Sequence, residues 1–301
     1  MKNILITGAA GFIGRQLVEK LNSLGNNVIE VDNLSVEPLL PPTNSLKKIN
    51  VQDITSTFLI EHSVDIVIHL AAKKNVHDSF YNLENSIENY EMTIKLFNAC
   101  VNANVNKIFL ASTCEIFGYQ EKKLDENSTF KPYSPYAVTK VANEYLSNVY
   151  MMYSNDLQIT SLNFFNTYGP SEGIDAVIPN FVNKAINNKT IIIEGDGNQA
   201  RDFTFIDDTI NLLINVINSD KYHRYLNIGS GFDISVNKIA EIVKSHFPEI
   251  KIENTSSRPN EIKTFIADNS IIIDNYGFLP KISIEIGIKK VIDFHLKKQA
   301  L

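Results

Sequence analysis

Cysteine is scarce in this chain: Cys100 and Cys114 are its only two. That is too few for a disulfide framework or a cysteine-rich zinc site, and it fits a reducing compartment, with the cytoplasm as the expected location. Long apolar runs are also missing. Ile191-Ile192-Ile193 and Ile271-Ile272-Ile273 stop at strand-like lengths, well short of the roughly 20 residues that cross a bilayer, so no membrane partner is expected. Met1-Lys2-Asn3 leads straight into Ile4-Leu5-Ile6, without the apolar stretch and small-residue cleavage site of an export signal. Positive charge is not in excess: the formal net charge is −6, which argues against nucleic acid as a partner while leaving small anionic ligands open. His69 has no carboxylate or cysteine at metal-ligand spacing, so it is expected to be structural, and no metal is expected. What remains is an ordinary globular chain of 301 residues, 44% apolar, able to bury a sizeable core.

Short apolar runs at 3–7, 27–31, 65–70, 107–111 and 158–162 alternate with stretches of helical periodicity at 12–24, 87–101 and 137–153. This alternation predicts an α/β fold, a Rossmann-type doubly wound parallel sheet. After Tyr168-Gly169-Pro170 the pattern loosens, with helices expected at 177–187, 207–218, 236–247 and 285–296 and short strands near 190–193 and 250–252. The division expected is a first domain over 1–168 and a smaller mixed α/β C-terminal lobe over 169–301. Segments near 200–230, namely 202–206 and 226–228, are candidates to return to the first sheet. In such sheets ligands sit beyond the carboxyl ends of the strands.

Directly after the first expected strand comes Gly8-Ala9-Ala10-Gly11-Phe12-Ile13-Gly14, opening a helix. A turn that brings backbone N–H groups and a helix N-terminus against a pyrophosphate has no room for side chains at its closest points, hence the glycines. Asp32 follows the second strand, eighteen residues past Gly14, where a carboxylate accepts hydrogen bonds from ribose hydroxyls and repels a 2′-phosphate. The spacing favours NAD over NADP.

Tyr136-Ala137-Val138-Thr139-Lys140 places a phenol and an ammonium one turn apart on a helix that starts after Ser134-Pro135. An ammonium there is expected to stabilise phenolate and bring the tyrosine down from about 10, making a base for a hydroxyl proton. Ser112-Thr113-Cys114-Glu115 stands where another expected strand ends. Here the sequence resembles the extended short-chain dehydrogenase/reductase family, specifically its nucleotide-sugar epimerases and dehydratases. The resemblance runs over nearly the whole chain. It is carried by Thr7 to Gly14, Asp32-Asn33-Leu34-Ser35, Asp53-Ile54, His69-Leu70-Ala71-Ala72, Thr113 to Gly118, Ser134 to Lys140, Asn166-Thr167-Tyr168-Gly169-Pro170, Gly195-Asp196-Gly197, Arg201-Asp202-Phe203 and Arg258-Pro259.

The resemblance implies an NAD-dependent enzyme in which Thr113, Tyr136 and Lys140 carry out oxidoreduction. It also implies that Gly8, Gly11, Phe12, Ile13, Gly14, Asp32, Asn33, Asp53, Ile54, Leu70, Ala71, Ala72, Lys74 and Phe164, with Tyr136 and Lys140, hold the cofactor. Lys74, Asn166, Arg201 and Arg258 would meet a nucleoside-diphosphate sugar; arginine's planar fork suits phosphate oxygens. Phe117 and Asn163 depart from the family's usual tyrosine and arginine. Helices such as 87–101 and 137–153, with Tyr90, Phe97, Tyr145 and Val149, often pair in this family as the four-helix bundle of a homodimer.

These enzymes share a first step, oxidation at C4 of the sugar with Tyr136 taking the hydroxyl proton. Glu115 stands where the family's dehydratases carry the base that removes the C5 proton, while epimerases carry a small or uncharged residue. Cys114 takes the slot of the acid or its helper, with a buried small residue as the alternative. A 4,6-dehydratase is therefore the leading expectation. A 4-epimerase, a 5,6-dehydratase that leaves a 5,6-ene, and a uronate decarboxylase remain open; a non-enzymatic NAD-binding protein is disfavoured by retention of both Tyr136 and Lys140.

Overall fold

The computed structural model describes residues 1–257 and 263–299. In chain order the first half comprises β1 (Asn3–Thr7), α1 (Phe12–Ser23), β2 (Asn27–Asp32), β3 (Lys47–Lys48), α2 (Ser56–Glu61), β4 (Ile66–His69), α3 (Leu83–Asn102), β5 (Lys107–Thr113), α4 (Pro135–Tyr153) and β6 (Gln158–Phe164). The second comprises β7 (Asn166–Tyr168), α5 (Val177–Ile186), β8 (Ile191–Glu194), β9 (Ala200–Phe205), α6 (Ile206–Asn218), β10 (Tyr225–Ile228), β11 (Asp233–Ser235), α7 (Val236–His246), β12 (Ile252–Thr255), β13 (Thr264–Phe265), α8 (Ser270–Tyr276) and α9 (Ile284–Gln299). Two compact units result. One is Met1–Gly118 with Ser128–Phe164 and Leu213–Leu226; the other is Tyr119–Asn127 with Phe165–Leu212 and Asn227–Leu301.

A seven-stranded sheet runs in the order β10-β6-β5-β4-β1-β2-β3. The pairings from β6 to β3 are parallel, with Thr7 opposite His69, His69 opposite Leu110 and Thr113 opposite Phe164. This is the expected Rossmann-type α/β architecture. Its central strands are apolar almost throughout because parallel strands are covered on both faces, and Ile4, Leu5, Ile6, Val67 and Ile108 are fully or nearly fully buried. On one side Met92, Leu96, Phe97 and Cys100 of α3 pack with Leu5, Val67, Ile108 and Ile159. Each such large side chain contributes about 1.5–3 kcal/mol by leaving water.

In the second unit, β9 is flanked by β11 and β13 and also pairs with β7, while β12 pairs with β8. Buried Asp202 on β9 accepts hydrogen bonds from the N–H of Ser230, Gly231 and Ala267 and from the Ser230 hydroxyl, at 2.7–3.2 Å. Four donors on one carboxylate fix three chain segments and offset its burial.

Two expectations are corrected. Residues 202–206 do not return to the first sheet: β9 pairs antiparallel with β11 and parallel with β7 and β13. Residues 226–228 do join it, as part of β10. Ile271-Ile272-Ile273 lies in a helix, α8, because Ile272 and Tyr276 bury one face four residues apart and Gly277 ends the helix at φ +62°. Ile250 closes a turn on Phe247 and is buried, so the strand begins two residues later than expected, at Ile252. None of the described helices is long and apolar enough to cross a membrane.

Candidate active site

The loops that follow β1, β4 and β5 leave the carboxyl ends of neighbouring parallel strands, so the glycine turn, the Leu70–Ala72 segment and the Thr113–Glu115 segment emerge along one edge of the sheet. That edge is where open α/β sheets bind ligands.

At the end of β5 the chain enters a short 3-10 turn, Cys114–Phe117. Thr113 caps it, its hydroxyl accepting the Glu115 N–H at 3.3 Å. Gly118 ends the turn at φ +58°, where an added Cβ would lie 2.1 Å from the Lys131 carbonyl oxygen. Ile116 O accepts the Lys131 N–H at 2.8 Å, and the buried Phe117 ring packs against Phe130 at 5.9 Å. The Glu115 carboxyl thus sits on a turn fixed at both ends.

α4 begins with Pro135 at its first position and Ser134 as its cap, the Ser134 hydroxyl accepting the Ala137 N–H at 3.1 Å. Both features set the first turn, and that turn carries Tyr136. A hydrogen bond joins the Thr113 and Tyr136 hydroxyls. One turn on, the Lys140 ammonium donates to Ala111 O of β5 at 2.8 Å and lies 5.7 Å from the centre of the Tyr136 ring. Thr113, Cys114, Glu115, Tyr136 and Lys140 therefore form one cluster.

Its electrostatics differ from the sequence expectation. Burial, then the charges of Glu115 and Cys114, push the Tyr136 phenol above its ordinary value, with only the Thr113 hydrogen bond opposing them. The expected lowering by Lys140 is not what the surroundings give, because the phenol is desolvated and faces a carboxylate. Lys140 itself is brought down to about 8 by burial, with Glu144 opposing. His69 is brought down to about 3 by burial and by Lys140. Its two ring nitrogens face the hydroxyls of Thr7 at 2.7 Å and Thr93 at 3.4 Å, so it is a neutral structural residue. Cys114 is buried, 5% exposed, and is not part of a disulfide.

The residues present fit a dinucleotide. An added Cβ on Gly14 would stand 2.1 Å from Gly8 O, and one on Gly8 (φ +72°) would stand 2.7 Å from Ala71 N, so the turn closes to backbone contact. α1 starts at Phe12, and Gly11 before it supplies no side-chain cap. The N–H groups of its first turn, at Phe12, Ile13 and Gly14, lack intrahelical acceptors and suit a pyrophosphate. The Asp32 carboxylate, at the end of β2, accepts the N–H of Ala10 at 3.1 Å and of Leu34 at 2.8 Å. Asn33 bonds Asn50, which in turn bonds the exposed Asp53. Ile54 is buried in the core. Leu70, Ala71, Ala72 and Phe164 are half-buried at strand ends, and Lys74 is exposed.

In the second unit Asn166 is exposed at the start of β7. Arg201 on β9 donates to Ala200 O at 2.9 Å and lies over the Phe265 ring at 5.3 Å. Arg258 and Pro259 lie outside the described residues.

Sequence reading passed over a buried polar layer behind the cluster. Asn89 and Thr93 on α3 and Asn143, Glu144 and Ser147 on α4 are all buried. Asn89 clamps the Lys73 backbone, accepting its N–H at 2.9 Å and donating to its carbonyl at 3.0 Å, while Lys73 pairs with Glu88. The available signal was polar residues three and four apart on faces otherwise apolar.

The sequence profile of the NAD dependent epimerase/dehydratase family matches residues 4–229. UDP-glucuronate 4-epimerase of Thermodesulfobacterium geofontis is 35% identical, covering 96% of this chain and 95% of that one. dTDP-D-glucose 4,6-dehydratase of Mus musculus is 29% identical, covering 98% and 89%. Among solved structures, TunA, an NAD-dependent NDP-hexosamine 5,6-dehydratase involved in tunicamycin biosynthesis, matches with a TM-score of 0.94 at 32% identity, covering 99% of this chain and 98% of that one.

Proposed function

Because the chain belongs to the NAD dependent epimerase/dehydratase family, with NAD as its cofactor, we propose that it is a nucleotide-sugar dehydratase of the 4,6 type. The carrying observation is Glu115, a carboxylate on a fixed turn two residues past Thr113 and close enough to the Tyr136 phenol to shift it. An epimerase has no use for a base at that place.

NAD, when bound, supplies a hydride acceptor for C4 of the sugar and can return the same hydride. Tyr136 takes the C4 hydroxyl proton, with Thr113 sharing the hydrogen bond and Lys140 providing positive charge for the phenolate. The new ketone acidifies C5, and Glu115 removes that proton. The C6 hydroxyl then leaves as water, protonated by Cys114 or by Glu115 with the proton it has just received. Asp32 and the glycine turn hold the dinucleotide, assisted by Asn33, Asp53, the Ile54 backbone, Leu70–Ala72, Lys74 and Phe164. Asn166, Arg201 and Arg258 are our assignments for the nucleoside diphosphate.

A second reading has support from the likeness to the 5,6-dehydratase. There the chemistry is the same through loss of water, after which hydride returns to C4 and a 5,6-ene is left. The two would differ in where hydride and proton return: to C6 and C5 for a 4-keto-6-deoxy sugar, or to C4 and its oxygen, the latter proton given back by Tyr136, for the 5,6-ene.

Turnover of the two key variants with candidate NDP-hexoses tests the assignment. Tyr136→Phe is expected to lose about 10²- to 10⁴-fold in rate. Glu115→Gln is expected to stop water loss while still forming a 4-ketone, trapped by borodeuteride reduction. Full-rate dehydration by Glu115→Gln would remove the elimination reading, and full activity of Tyr136→Phe would remove every oxidative one.

A further inference from the structure

His69, at the end of β4, meets two buried hydroxyls: Thr7 of β1 lies 2.7 Å from Nδ1, and Thr93 of α3 lies 3.4 Å from Nε2. All three residues are at most 2% exposed, so water does not compete for these bonds. The other contacts of the two hydroxyls fix which way the protons run. Thr93 donates to the Asn89 carbonyl at 2.8 Å, and its oxygen receives an Asn143 Nδ2 hydrogen at 3.2 Å. A hydroxyl has a single hydrogen. With that hydrogen given to Asn89, the Thr93 oxygen can only accept from the ring, so Nε2 is protonated and Nδ1 is bare. Nδ1 then accepts the Thr7 hydroxyl, whose oxygen is left to accept the Ala71 N–H at 3.4 Å. In the other tautomer the Thr7 oxygen would face two donors, and Nε2 would face a hydroxyl whose hydrogen is already spent.

Both ends of this chain reach the glycine turn or the segment beside it. Thr7 precedes Gly8, which takes φ +72° and packs so closely that an added Cβ would lie 2.7 Å from Ala71 N. Asn89, whose carbonyl Thr93 engages, clamps the Lys73 backbone through both ends of its side-chain amide. One ring therefore joins β1, β4 and α3 at the two ends of residues 71–73. An apolar side chain of similar volume would serve stability as well, because buried polar groups give back in desolvation most of what their hydrogen bonds gain. What the polar chain adds is direction: it decides where the Thr7 lone pair and the Ala71 N–H point.

We propose that His69, as its Nε2–H tautomer, is a positioning residue for the dinucleotide: it turns the Thr7 hydroxyl hydrogen toward itself, so that Thr7 receives the Ala71 N–H and residues 71–73 are held against the Gly8 turn. The inference rests on the assignment of Leu70, Ala71 and Ala72 to the cofactor groove.

Two measurements on the full-length protein test it. Long-range ¹H–¹⁵N correlation spectra of ¹⁵N-histidine protein, with His69 assigned by its loss in His69→Gln, read the tautomer. The Nε2–H form is expected, and the Nδ1–H form overturns the proposal. Calorimetric titration with NAD, at a temperature where every variant is folded, reads the groove. Thr7→Val keeps the shape and loses the hydroxyl, and it is expected to bind NAD about tenfold more weakly, whereas Thr7→Ser is expected to bind as the wild type does. Wild-type affinity in Thr7→Val overturns the proposal even if the melting temperature falls, since that is the result of a ring that serves stability alone. Equal losses in Thr7→Val and Thr7→Ser also overturn it, because the hydroxyl is then not the cause. If Thr7→Val does not fold, Thr93→Val decides: weaker NAD binding that Thr93→Ser restores supports the proposal, and any other result sinks it. Binding of NAD by the wild type checks the groove assignment itself, so the two failures are separate results.

Discussion

Tyr136 and Lys140 face each other with opposed electrical needs. The phenol works as a base only without its proton, and its surroundings hold that proton more firmly than usual, so raising the pH favours it. The ammonium supports phenolate only while charged, and with a value of about 8 it is lost as the pH passes that point. The rate at limiting substrate is therefore expected to climb with pH and bend over near 8, where Lys140 neutralises. Lys140→Met is expected to be at least about 100-fold slower and to lose the bend. A pH profile of kcat/KM for both proteins checks this; a bend near 8 that survives in Lys140→Met contradicts it. At this scale residue types and spacing were legible before folding, but environment was not. Tyr136, Lys140 and Glu115 could be picked out from their positions after strand ends. The upward shift of the phenol could not, because it depends on burial and on a carboxylate brought close by a turn.

Among the elements, the short turn after β5 governs where Glu115 points. Gly118 takes a left-handed conformation there, with the Lys131 carbonyl at van der Waals overlap with any added Cβ. Gly118→Ala is expected to cost about 1–3 kcal/mol of stability and to depress dehydration more than binding of NAD. Urea denaturation checks the first, and a loss below about 0.5 kcal/mol would mean that the turn is not held as described. The strands and helices of the first half were readable because the apolar periods are long and uninterrupted: β1 spans the expected residues 3–7, and α1 begins at Phe12 as expected. The second half was harder. Three isoleucines at 271–273 satisfy a buried strand and a buried helix turn equally, and only the following Gly277 and the pairing of Ile272 with Tyr276 separate the two. β7, β11 and β13 span two or three residues, too short to show any period. The polar layer of Asn89, Thr93, Asn143 and Glu144 was invisible for another reason: periodicity methods count such residues as surface.

For the molecule as a whole, the outer faces of α3 and α4 carry an apolar surface. Tyr145, Val149 and Ile87 are each more than half exposed, whereas Phe97, expected on the same surface, is fully buried against the sheet. We propose that this surface meets its copy in a homodimer. Sedimentation velocity is expected to find a dimer that Tyr145→Glu dissociates; a monomeric wild type at micromolar concentration would refute it. The central claim is elimination at C5 and C6, and its most direct measurement is incubation with NDP-hexoses in D₂O followed by mass spectrometry and NMR of the sugar. The account predicts loss of one water, with deuterium at C5 for the 4,6 product and an alkene without deuterium for the 5,6 product. A sugar of unchanged mass, inverted at C4 and free of solvent deuterium, would contradict it.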